Sequence, residues 1–140
     1  MSTLEEIATE LNSAVTHFSR AMRAIDDRQP VGRAPLSALA VLVFGGPRSL
    51  TELADSEGVT PVTMHHTVRR LIAEGYAKQK QNPNDARSVI VEVTAKGRRT
   101  MMKARQDRLD WMLGNLSGLT EQEAALLRRT AAVLNSWAGF

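Results

Sequence analysis

Residues 49–94 read SLTELADSEGVTPVTMHHTVRRLIAEGYAKQKQNPNDARSVIVEVT. Ser49-x-x-Glu52 has the spacing of a capping box and opens a short helix with Leu50, Leu53 and Ala54 as its inner residues. Gly58 stands where a helix ends in a left-handed residue, and Thr60-Pro61 restarts a helix with a hydroxyl N-cap and a proline at the first helical position. Helix, glycine turn, helix is the spacing of a helix-turn-helix, with an ordinary αα-hairpin as the alternative. Gly75 closes the second helix. Tyr76–Gln81 and Ser88–Val93 then read as strands around the polar loop Asn82-Pro83-Asn84-Asp85-Ala86-Arg87, with period two clearest in Val89, Val91 and Val93. A ribbon after a helix-turn-helix is a wing, so the stretch predicts a winged helix-turn-helix and contact with DNA.

The second helix of this motif can be divided at 100° per residue. Met64, Val68, Leu71 and Ile72 share one sector and should pack inward. Val62, His66, Arg69 and Arg70 lie opposite, with Thr63 and His65 at the margins and no acid before Glu74. Such a face suits a major groove: arginine reads guanine O6 and N7, and an aliphatic group touches a thymine methyl. With the caps Ser49 and Thr60 and the wing residues Asn84, Asp85 and Arg87, these are the candidate DNA-binding residues.

Around this cassette the chain is helical. Thr3 and Glu6 form a capping-box pair ahead of Leu4, Ile7, Leu11, Val15, Phe18, Met22 and Ile25, an amphipathic helix of about six turns. It ends in the Asp26–Gly32 loop. Pro35 suits the first turn of a second helix, apolar nearly all round from Leu36 to Phe44 and so expected to be buried, which Gly45-Gly46-Pro47 stops. Thr94 caps a long helix broken at Ser117-Gly118. Thr120-x-x-Glu123 starts the last helix, with Ala124, Leu127, Ala131, Leu134 and Trp137 on one side. The expected class is mainly α with a small β-wing: about six helices and a two- or three-stranded antiparallel ribbon, in one domain spanning 1–140. Within it, 33–94 is the winged helix-turn-helix, 1–31 and 106–140 are dimerisation helices, and 95–105 begins the helix linking the two.

Composition narrows the function. The 140 residues include no cysteine, which excludes disulfides, thiolate zinc sites and thiol redox switches. The longest apolar run, Ala38–Phe44, is too short to span a bilayer, and the acidic start lacks a signal-peptide pattern, so a cytoplasmic protein without membrane association is expected. The net charge of +3 hides an asymmetry: residues 60–105 hold ten Lys or Arg against three acids. Positive charge concentrated on one stretch suits a polyanion, because neutralising phosphates releases counterions. Enzyme signatures are missing: no Gly-rich phosphate loop, G-x-S-x-G or H-E-x-x-H occurs. Neither a cofactor nor a metal is expected, since the adjacent His65 and His66 diverge by about 100° on a helix and cannot easily share one ion.

Asp85-x-Arg87, followed after five residues by Val93-Thr94-Ala95-Lys96-Gly97, resembles the MarR family of bacterial transcription regulators, and Leu71-Ile72-Ala73-Glu74-Gly75-Tyr76 is similar to that family's exit from recognition helix to wing. The likeness runs over essentially the whole chain. Val93 stands where leucine is usual, and His65-His66 where a small hydroxyl residue and arginine are frequent, which bears on base preference. The resemblance implies a homodimer held by the terminal helices on a pseudo-palindromic double-stranded DNA operator, with recognition helices about 34 to 36 Å apart. It also implies Arg87 in the minor groove, its guanidinium oriented by Asp85. Finally, it implies a small phenolic or aromatic carboxylate effector between the dimerisation helices and the winged domain, for which His17, Arg20, Arg23 and Trp111 are candidate ligand-binding residues. The expected function is a sequence-specific transcription regulator acting as a repressor. Alternatives are a non-sequence-specific architectural DNA-binding protein, which would show only salt-governed affinity, and a dimerisation module with an incidental basic face.

Overall fold

Helix α1 spans Leu4–Asp26 in the computed structural model, which describes residues 2–139. Its capping box closes in both directions: the Thr3 hydroxyl accepts the Glu6 N–H at 3.1 Å, and the Glu6 carboxylate accepts the Thr3 N–H at 2.7 Å. After it come α2 (Arg33–Gly45), β1 (Arg48–Ser49), α3 (Leu50–Glu57), α4 (Pro61–Ala73), β2 (Ala77–Asn82), β3 (Asp85–Val93), α5 (Ala95–Leu116) and α6 (Glu121–Ala138). Among the described residues this is six helices and one three-stranded sheet, the expected class.

The core explains why the winged motif holds together. Leu36, Leu39 and Leu42 of α2, Leu53 of α3, Val68 and Leu71 of α4 and Val91 of β3 are all fully buried, joined by Met101 and Ala104 of α5. Each such side chain is worth about 1.5–3 kcal/mol on burial, so α4 is fixed against the sheet by its inner stripe. Gly58 has φ +64°, the left-handed turn expected between α3 and α4, and Pro61 opens α4 behind its Thr60 cap.

The sheet is antiparallel in the order β1-β3-β2. Strand β1 pairs Arg48 with Val91 and Ser49 with Ile90, giving the ribbon a third strand. The wing strands also run further than their sequence suggests: β2 and β3 pair from Ala77 opposite Val93 to Asn82 opposite Asp85, with an irregularity at Gln81/Asn82. The expected loop of Asn82 to Arg87 shrinks to the turn Pro83-Asn84. Polar residues there extend the ladder because a wing needs no apolar face at its tip.

Two other expectations change. Helix α2 is not buried all round, since Phe44 in its last turn is 60% exposed. The Ser49 capping box is half made: the Ser49 hydroxyl accepts the Glu52 N–H at 3.1 Å, and that is the half its geometry shows. Ser49 is also the last residue of β1, so its backbone serves a strand as well as a cap.

Two compact units make up the chain, Met1–Gln106 and Asp107–Phe140. None of the described residues of α6 is buried, and Leu126 and Trp137 are 67% and 70% exposed. No helix among the described residues is long and apolar enough to cross a membrane.

Candidate nucleic-acid interface

Helix α4 presents one side to the core and one outward. Met64, Val68 and Leu71 are buried and Ile72 packs against the core, while Val62, Thr63, His65, His66, Arg69 and Arg70 are exposed. The division matches the helical-wheel reading. Its chemistry is narrower than that reading, because several polar groups are already engaged. The Thr60 hydroxyl accepts the Thr63 N–H at 3.2 Å and donates to the Thr63 hydroxyl at 3.0 Å. Arg70 Nε donates to Glu74 Oε1 at 3.1 Å, one turn along, and its guanidinium lies 3.5 Å from where a Cβ on Gly32 would stand. Arg69 has no ion pair among the described residues. The His65 and His66 rings sit 6.3 Å apart at 62°, edge to face.

The wing tip is stiffened by its own side chains. Asn82 Oδ1 accepts the Asn84 N–H at 3.0 Å, Asn82 Nδ2 donates to Ser88 Oγ at 2.9 Å, and Gln81 Nε2 donates to the Ala86 carbonyl at 3.4 Å. Such Asx-type bonds hold a turn without a core. Asp85 differs from expectation: its Oδ1 accepts the main-chain N–H of Arg87 at 3.0 Å, and the two side chains form no ion pair. The carboxylate therefore fixes the backbone from which the exposed Arg87 projects and leaves the guanidinium unpaired. Further down the ribbon Lys80 Nζ meets Glu92 Oε1 at 2.6 Å. That hydrogen bond holds the Glu92 carboxyl below the usual carboxylate range, partial burial opposing it and the charges of Lys80 and Lys78 assisting.

Sequence reading missed what joins wing to helix. The Thr94 hydroxyl donates to the Gly75 carbonyl at 2.7 Å and accepts the Gly97 N–H at 3.1 Å, while the Thr94 N–H donates to the Tyr76 carbonyl at 3.0 Å. Lys96 Nζ donates to the Glu74 carbonyl at 2.7 Å and stands 4.5 Å from the Tyr76 ring centroid. Gly97 is buried so tightly that an added Cβ would overlap the Tyr76 carbonyl oxygen and come within 2.8 Å of Val93 Cγ2. Thr94–Gly97 thus latches the start of α5 onto the end of α4, which explains a glycine in the first turn of a helix.

The positive charge of residues 60–105 is unevenly divided. Between residues 60 and 94 five cations face three acids, and residues 95–105 hold the other five cations with no acid. Two cations of α4 and the wing, Arg70 and Lys80, are paired with Glu74 and Glu92. Arg69, Lys78 and Arg87 are the ones without an ion pair among the described residues. Of the candidate effector residues, His17, Arg20 and Arg23 lie exposed along α1, with His17 Nδ1 3.5 Å from Ser13 Oγ, and Trp111 is exposed on the part of α5 within the second unit.

No family model matches the chain. Its fold is similar to that of a MarR family protein from Bacillus stearothermophilus, with a TM-score of 0.87 and 17% identity over 99% of this chain and 100% of that one. An HTH-type transcriptional regulator of Mycobacterium tuberculosis is 31% identical over 128 residues, covering 91% of this chain and 90% of that protein. The chain belongs to the HTH-type transcriptional regulators and has the fold of a MarR family protein. A mutant of Escherichia coli MarR, solved in complex with operator DNA, has the same fold at a TM-score of 0.68 and 20% identity, over 95% of this chain and 99% of that one. This chain carries His65-His66 on the exposed side of α4 and Asp85-x-Arg87 at its wing tip.

Proposed function

We propose that this protein is a MarR-family, sequence-specific repressor that binds a pseudo-palindromic operator as a homodimer. The observation that carries the reading is the presence, in one compact unit, of an exposed α4 stripe able to meet base edges and a stiffened wing tip bearing an unpaired Arg87. Helix α4 enters the major groove, and Arg87 enters the adjacent minor groove, whose negative potential favours arginine. Asn84, beside it in the tip, and the α3 cap Ser49 meet the backbone.

Dimerisation is supported by the apolar surface of the terminal helices. Leu4, Ile7 and Val15 of α1 and Leu126, Leu127 and Trp137 of α6 are all exposed in the single chain. An exposed apolar stripe on a helix marks an association face, and two-fold pairing matches a palindromic site. Repression follows from occupancy, since a dimer on a promoter blocks polymerase without a further contact. Release by a small aromatic carboxylate, held near the basic residues of α1, requires only that the ligand prefer the form that does not bind DNA. On this reading the protein works in the cytoplasm and catalyses nothing.

In vitro selection from random duplex DNA tests the proposal. It should return two inverted half-sites about one helical turn apart. Failure of any consensus to emerge would leave an architectural binder governed by salt alone.

A further inference from the structure

Val62, His66 and Arg69 follow one another at i, i+4 and i+7, forming a single stripe along the exposed side of α4. Val62 is the anomaly in it. It is 69% exposed, in the first turn of a helix that is otherwise polar on this side. One exposed valine is ordinary by itself. Here its neighbours change the meaning, because the hydroxyls of Thr60 and Thr63 are turned on each other and on the Thr63 N–H. The Thr60 hydroxyl is thus engaged as both donor and acceptor, and the first turn of α4 offers a groove the two γ-methyl groups of Val62 beside the Thr63 O–H. The Thr60-Pro61 start fixes the backbone beneath those methyls.

We propose, resting on the operator-binding reading above, that Val62 is a specificity-determining residue that reads the 5-methyl group of a thymine in each half-site. The methyl is the one apolar feature of the major-groove edge, and it distinguishes thymine from every other base. Seven residues at 1.5 Å each separate Val62 from Arg69 by about 10 Å, roughly three base-pair steps. The thymine accordingly lies about three steps from the base pair or phosphate that Arg69 meets, with His66 over the steps between.

The test uses the full-length protein and the duplex it selects from a random library. Each thymine in turn is replaced by deoxyuridine, which removes only the methyl group, and affinity is measured by fluorescence anisotropy. One position per half-site should weaken binding about fourfold, the worth of one methyl taken out of water. Val62→Ala should bind the thymine and uridine duplexes alike, at the affinity the unaltered protein shows for the uridine duplex. Discrimination that persists in Val62→Ala overturns the proposal, as does a selected duplex in which every thymine tolerates uridine. Either result leaves operator binding standing. Selection that yields no consensus at all overturns the operator-binding reading itself.

Discussion

Arg87 is the residue on which the wing's contribution turns. It is exposed and unpaired, and Asp85 serves it through the main chain. Arg87→Ala is therefore expected to weaken operator binding at least tenfold, about 1.4 kcal/mol, while leaving oligomeric state unchanged. A gel-shift titration at fixed salt measures this. The role of Asp85 separates cleanly by substitution. Asp85→Asn keeps an oxygen to accept the Arg87 N–H and should retain most of the affinity, whereas Asp85→Ala should lose several-fold. Equal losses in the two variants would mean that the charge acts on the guanidinium after all. The outward residues of α4 were legible in sequence because their buried neighbours Met64, Val68 and Leu71 repeat at helical spacing. The Asp85 bond was not, because an aspartate two residues before an arginine serves an Asx turn and an ion pair equally well. Nor was the engagement of Arg70 by Glu74, since Arg69 and Arg70 look alike until a partner is placed.

At the scale of elements, the latch between α4 and α5 is the part that composition could not announce. Gly97→Ala should destabilise the winged motif by about 1–3 kcal/mol, the usual range for forcing extra volume into a packed site. The displaced partner here is the Tyr76 backbone, which has little freedom to yield. Denaturant unfolding checks it, and a neutral result would show that α5 can shift away from Tyr76. The N-terminus of α6 gives a pH prediction. Glu123 accepts the Thr120 N–H at 2.8 Å and the Thr120 hydroxyl at 3.1 Å, and these bonds, the backbone one foremost, hold its carboxyl below the ordinary range despite a small opposing desolvation. With the folded value depressed, this stabilisation is present above the ordinary glutamate pKa and is lost as pH falls through the lowered value. The melting temperature of Glu123→Gln should thus trail the unaltered protein near neutrality and converge with it in acid; a constant gap would contradict the assignment. Helix starts were readable because Thr3, Thr60 and Thr120 cap them with recognisable spacing. Strand β1 was not, because two residues cannot display a period.

For the whole molecule, the distribution of charge separates DNA-reading cations from the rest. If Arg69, Lys78 and Arg87 of each protomer meet phosphates or grooves and the α5 cations do not, a dimer neutralises about six phosphates. The slope of log K against log salt should then be near −5. A slope of −10 or steeper would bring residues 95–105 onto the DNA. The apolar positions of α1 and α6 were visible as periodic stripes, and Leu4, Ile7, Val15, Leu127 and Trp137 among them are exposed in the single chain. The central claim, that α4 and the wing read sequence, is tested most directly by a fluorescence-anisotropy titration with the DNA upstream of the protein's own gene. It is run against a scrambled duplex at two salt concentrations. Tight binding that survives scrambled competitor at both is the expected result; equal affinity for the two duplexes, falling together with salt, would contradict it.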